Sequence, residues 1–374
     1  MSKAAELANL IGNINAGGGG VNRNLVINGA MNVAQRGTSV ANTGYQTVDR
    51  FQIGASGTDE TPTQAQVDIA SSATPYTLGF RKAFKVTNGN QTSGAGTSDI
   101  IDIKHVFEAQ NVATSGWNFT SSSSVLSLSF WVKSSVAQNF FGHIKTYDGT
   151  VYNYPFSTGS LTADTWTKVT KTISGNSNLT INNDNGQGLE IRFLLFAGTG
   201  YTASVSEDAW VAYDNTQRSP DNTSTWYTTN DATFEITGVQ LEVGQNPTEF
   251  EHEPYATTFE KCLRYFYAVV PKGEGNAYIA PAWNYSSSTM VSIIDHKVEM
   301  RAAPTVETID ASNDFRFYRN NAADDFDEMA LSSPSTTRST AVFNGSDISG
   351  TAGHAGGIFG NDATNAYFYL KAEL

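Results

Sequence analysis

Cysteine is nearly missing. Cys262 stands alone, so no disulfide can close within the chain and no cysteine cluster can hold a metal. Charge is scarce too. Only 16% of the 374 residues are charged, and the formal balance is −13. Most of such a surface repels a phosphate backbone, and no Lys/Arg cluster offers an exception, so nucleic acid is not an expected partner. No window approaches about 18 consecutive apolar residues, so no helical membrane insertion is expected. The opening "MSKAAELANLIGNINAGGGG" has neither a basic leader nor a long apolar core, so it is not read as a signal peptide. Synthesis in a cytoplasm without classical export is the expectation. The five histidines, His105, His143, His252, His296 and His354, lie far apart and share no ligand spacing. G-x-S-x-G and P-loop motifs are absent. No metal, cofactor or catalytic residue is therefore expected, although a Ser–His–Asp set that assembles in space leaves no mark on a sequence.

Gly, Ser, Thr and Asn stand where the charges would be, and hydrophobic residues still reach 39%. That mixture fits an all-β chain with many turns and a neutral polar surface. The length fits about two domains. Residues 2–14 read as a short amphipathic helix, with Leu7, Leu10, Ile11 and Ile14 at helical spacing and Gly17 to Gly20 as a tether. A short sticky helix on a loose tether reads as a docking peptide; a frayed terminus is the plain alternative.

From Asn24 to about Phe250 strand follows strand. In "VLSLSFWVKS", Leu126, Leu128, Phe130 and Val132 share one face, while Ser127, Ser129, Trp131 and Lys133 share the other. In "GLEIRFLLF", Leu189, Ile191, Phe193 and Leu195 point one way, Glu190 and Arg192 the other. "TWTKVTKTI" is a polar-rich third strand. "TFEITGVQLEV" changes parity at Thr237–Gly238, and a bulge at Gly238 would keep Phe234, Ile236, Val239 and Leu241 on one core. Gly244 and Pro247 stop that strand. Pro254 then opens a helical turn with Tyr255, Phe259, Cys262, Leu263 and Phe266 on one stripe. A second set of short strands runs to the end. The division is thus 1–23 docking peptide and tether, 24–250 sandwich, 251–267 connecting turn and 268–374 a smaller sandwich or barrel-like β-domain.

Few residues invite a chemical role. "DDFDE", Asp324 to Glu328, could hold calcium through its oxygens or be a solvated loop; it lacks the EF-hand spacing and glycine. Trp131 beside Lys133, with Glu190 and Arg192 on the equivalent face of another strand, would suit a sugar ring stacked on an indole and bonded by charges. The same face could instead pack under a loop or another subunit. Trp283 and Tyr285, at a Ser-rich loop, could bind glycan or simply anchor that loop.

Several stretches together resemble blocks found, in this order, in structural and tail-fibre-type proteins of bacteriophages. They are "NLVINGAMNVAQRGTS", "LSLSFWVKSS", "DTWTKVTKTISG", "GLEIRFLL", "FEITGVQLEVGQNPTEFEHEPYATTFEKCLRYFYA" and "VEMRAAPTV", spread over residues 24–306. The resemblance implies an N-terminal jelly roll similar to carbohydrate-binding modules and a variable C-terminal domain facing outward. It also implies a virion component, commonly a homotrimer, that touches a host surface glycan and meets other virion proteins through its N-terminus. The chain has no extended shaft and no long helical attachment domain, which leaves tail, head and neck positions open. A decoration protein without ligand and a glycan depolymerase are the rival readings.

Overall fold

The computed structural model describes Lys3, residues 23–308, 313–362, 364 and 366–374. The docking reading of Leu7, Leu10, Ile11 and Ile14 lies outside the described residues. The chain divides into two units. The first is built on Thr38–Thr258, with residues 23–34 and with Leu374; the second on Phe259–Glu373, with Gln35–Gly37.

In the first unit, strands β1 (Ser39–Ala41), β2 (Gln52–Ser56), β3 (Thr63–Asp68), β4 (Lys82–Thr87), β5 (Ile100–Glu108) and β6 (Val125–Ser134) come first. They are followed by β7 (Asn139–Thr146), β8 (Tyr152–Ser160), β9 (Thr167–Ser174), β10 (Gln187–Ala197), β11 (Val211–Ala212) and β12 (Thr233–Val243). Two six-stranded antiparallel sheets result, ordered β1-β3-β4-β12-β6-β9 and β11-β8-β7-β10-β5-β2. The alternation seen in the sequence decides which faces meet. Leu126, Leu128, Phe130 and Val132 of β6 are buried against Leu189, Ile191, Phe193 and Leu195 of β10 in one core. Phe130 and Phe193 meet edge to face at 5.0 Å across the two sheets. Each such side chain contributes about 1.5–3 kcal/mol by leaving water. The unit is a jelly-roll β-sandwich.

Local chemistry explains two irregular strands. β9 is polar because it is an edge strand with one inward row, in which Val169 and Ile173 are buried. In β12 the pairing with β6 slips between Thr237 and Gln240. Gly238 sits there at φ 62°, a left-handed conformation that glycine adopts without a Cβ penalty. The bulge keeps Phe234, Ile236, Val239 and Leu241 in the same core.

The second unit carries β13 (Phe266–Val270), β14 (Tyr278–Asn284), β15 (Thr289–Asp295), β16 (Thr305–Thr308) and β17 (Phe315–Arg319). It continues with β18 (Ala322–Phe326), β19 (Ala330–Leu331), β20 (Arg338–Asn344), β21 (Ala355–Gly360) and β22 (Phe368–Lys371). A three-stranded sheet, β13-β22-β16, and a seven-stranded one, β18-β17-β21-β14-β15-β20-β19, share a core. Phe368 and Leu370 from the small sheet pack with Met290, Phe315, Phe317 and Ile358 of the large one.

Two expectations change. The helix spans Tyr255–Leu263, and Phe266 belongs to the strand that follows it. Tyr255 is 59% exposed, so within the helix the buried part of the predicted stripe is Cys262 and Leu263. The first two acids of the acidic run are not in a loop: Asp324 and Asp325 lie in β18, paired with Arg319 and Arg316 across a hairpin. A strand there is favoured because each carboxylate finds a guanidinium on its neighbour.

Candidate functional site

The four residues singled out in the sandwich do not form one site. β6 belongs to the first sheet and β10 to the second, so Trp131 and Lys133 lie on one outer face and Glu190 and Arg192 on the opposite one.

Trp131 is half-buried. Its indole packs against a satellite cluster of Ile69, Phe80 and Ala83 with Phe250 beside it. His252 fastens the covering segment, its ring nitrogen lying 2.8 Å from the Leu78 carbonyl. What remains open beside Trp131 is a recess of about 90 Å³. Packing under a segment of the same chain is the role the structure gives this indole.

Lys133, two residues on, stands in a larger feature. Antiparallel register places Lys85 of β4, Glu235 of β12 and Lys133 of β6 side by side in one row across the first sheet. Lys133 Nζ lies 2.9 Å from Glu235 Oε1 and 5.3 Å from the centre of the Trp166 ring. Trp166 precedes the edge strand β9 and forms a wall with Asp164 and Thr165; the turn from Ile69 to Thr74 contributes the opposite wall. The cleft encloses about 550 Å³. Its floor offers the Lys133–Glu235 ion pair beside Lys85, and its wall offers an indole. That arrangement can bond hydroxyl groups and stack an apolar ring face. Trp166, Lys85 and Glu235 were missed in the sequence. The one signal for them was that Lys85 and Glu235 sit on the polar parity of their strands.

On the opposite face, Glu190 is fully buried. It accepts hydrogen bonds from Tyr147 Oη at 2.6 Å and Arg192 Nε at 2.8 Å. Arg192 also reaches Asp102 on β5 at 3.2 Å. His143 Nε2 lies 3.7 Å from Glu190, beyond hydrogen-bond range. Burial alone would raise the Glu190 carboxyl, but the charge and hydrogen bonds of Arg192, with the His143 ring close by, outweigh it and hold it well below the carboxylate range. Burial raises the Asp102 carboxyl above its ordinary value, against the pull of Arg192. Burial also pushes His143 down to about 4, so it is neutral near neutrality. Lys145 sits between the rings of Tyr147 and Tyr213, 4.6 and 4.3 Å from their centres. One guanidinium serves two buried carboxylates and locks the two strands' outer faces together.

In the second unit, Trp283 is half-buried on the outer face of β14, paired with Val291 and Ala355 on its flanking strands. Tyr285 opens the turn to β15 and is 71% exposed.

No family model matches the chain, and no curated protein matches it. Among solved structures, it is similar to the enzymatically active domain of tailspike protein 4 of bacteriophage CBA120, at 12% identity and TM-score 0.32. That match takes in 59% of this chain and only 21% of the tailspike domain. It is also similar to the N-terminal cellulose-binding domain of β-1,4-glucanase C from Cellulomonas fimi, at 12% identity and TM-score 0.28, over 58% of this chain and 100% of that one. A tandem of two carbohydrate-binding modules from a Paenibacillus barcinonensis protein aligns with 91% of this chain and 98% of its own, at 8% identity and TM-score 0.27. Likenesses this distant carry nothing about ligand or activity.

Proposed function

We propose that this chain is a non-catalytic structural protein of a bacteriophage particle, a short tail fibre or adhesin that contacts host surface glycan. The ordered sequence blocks supply the virion part of the reading. The observation that carries the glycan part is the cleft on the first sheet, where Trp166 stands over the Lys85–Glu235–Lys133 row. Such a shallow, wet, polar-aromatic site binds weakly one copy at a time, and a homotrimer anchored to a particle would multiply it. Head or neck placement is the alternative within the same class.

The test is Trp166→Ala introduced into the particle. Trp166 is half-buried at the cleft wall, so the sandwich core is left intact. Particles are expected to assemble in normal yield and to adsorb to host cells about tenfold more slowly, the loss of one stacking contact repeated in several copies. Normal adsorption with reduced assembly would instead favour a decoration protein. Release of reducing sugar from host polysaccharide by the purified chain would replace the reading with a depolymerase.

A further inference from the structure

We propose that a groove on the outer face of the seven-stranded sheet in the second unit binds a neutral saccharide ring, stacked on Tyr278 and Tyr318. The proposal deepens the glycan reading and rests on it, at a different site.

The groove encloses about 840 Å³. Its floor is flat for a reason. Register places Tyr318 of β17, Gly357 of β21 and Pro281 of β14 in one row across three strands. A Cβ on Gly357 would come within 3.0 Å of the Tyr278 ring and push it outward, so the missing side chain lets that ring lie close against the sheet. Tyr278 is nonetheless 68% exposed. Its ring is not loose. It meets Phe359 edge to face at 5.3 Å and lies 6.1 Å from Tyr318, which itself meets Phe359 at 5.8 Å. Three mutually braced rings hold a stacking surface without paying ordering entropy on binding.

Polar groups at the rim are uncharged. The β17–β18 hairpin turns through Asn320 and Asn321, both left-handed, at φ 40° and 60°. This is the two-residue turn that asparagine favours, and it presents both exposed residues at the groove's end. Their amides can donate and accept at once, as a vicinal diol requires. Arg319 is the one charged residue of the lining, and it is 7% exposed and paired with Asp324. Arg316, which donates to Tyr318 Oη at 3.2 Å, is paired with Asp325. Two aromatic rings, paired amides and no unpaired charge complement a neutral sugar rather than an acidic one. Sequence reasoning reached Trp283 and Tyr285 in this unit, but Tyr278 and Tyr318 are the rings that line the groove together.

The intact chain is applied to a printed array of neutral and of acidic oligosaccharides, and the best-retained neutral one is titrated by calorimetry. Neutral glycans are expected to be retained. Tyr278→Ala and Gly357→Val should each weaken that binding about three- to tenfold. Tyr285→Ala, at an exposed loop outside the groove, should leave it unchanged. The proposal is overturned if no neutral glycan is retained, or if Tyr278→Ala binds as the parent does. It is equally overturned if Tyr278→Ala changes the sedimenting mass, since a second copy of the chain would then be the occupant. Loss of binding with Trp166→Ala but not Tyr278→Ala removes the groove and keeps the glycan reading; no retention by the parent removes both.

Discussion

Acid should loosen the first unit before it titrates the carboxylates. His143 is fully enclosed on the outer face of the second sheet, facing Glu190 and Arg192. Folded, it titrates at about 4; unfolded, at 6.5. Between those values the unfolded chain takes up a proton that the folded chain refuses. Its contribution is therefore complete above pH 6.5 and is lost as the pH falls toward 4. The gap corresponds to about 3 kcal/mol in full, and about 2 kcal/mol is already gone near pH 5. His105, buried among Phe51 and Phe107, is held well below its usual value by burial and by Arg50, so it adds in the same direction. Asp102 works the other way, since its carboxyl is raised and protonation favours the fold. A comparison with His143→Gln isolates the histidine. Urea unfolding followed by tryptophan fluorescence is suitable, because five of the six tryptophans lie before Thr258. The parent should lose about 2 kcal/mol more than His143→Gln on going from about pH 7 to about pH 5. An equal loss in both proteins would refute the burial argument.

Other substitutions probe the fold directly. Arg192→Ala would leave Glu190 and Asp102 facing each other without their shared cation, at a cost of about 3–5 kcal/mol measurable in the same unfolding experiment. Phe130→Ala should cost about 3–5 kcal/mol by opening a cavity where the two sheets meet. Gly238→Ala is expected to cost about 1–3 kcal/mol, because φ is 62° and the new methyl would lie 2.7 Å from the Phe80 ring. Cys262 is buried, so a thiol reagent should label it only in denaturant; rapid labelling of the native chain would contradict its placement.

Where one face of a strand was clearly apolar, the sequence was readable. The alternation in β6 and β10, the parity change at Gly238 and the buried Cys262 all follow from side-chain period and backbone sterics, which are local. The site was not local. Lys85, Glu235 and Lys133 become neighbours only through cross-strand register, and Lys85 and Glu235 are 150 residues apart in sequence order. Glu190 looked solvent-facing because its parity was polar, yet Tyr147 and Arg192 close over it. Parity tells which way a side chain points and says nothing of what covers it. Asp324 and Asp325 were misjudged for a related reason: their partners sit on the preceding strand, and a hairpin converts a like-charge run into two ion pairs. Tyr278 gave no signal, since its prominence depends on a missing side chain at residue 357.

Strand β12 has a consequence for synthesis. It is the last long strand of the first unit to leave the ribosome, yet it occupies a middle position of its sheet, between β4 and β6. Until residue 243 emerges, those two strands keep open backbone edges, and Leu126, Leu128, Phe84 and Val86 lack a partner that completes their layer. The nascent chain is thus sticky for most of its translation, which favours early escort by a chaperone and penalises premature stops between β11 and β12 more than stops beyond it.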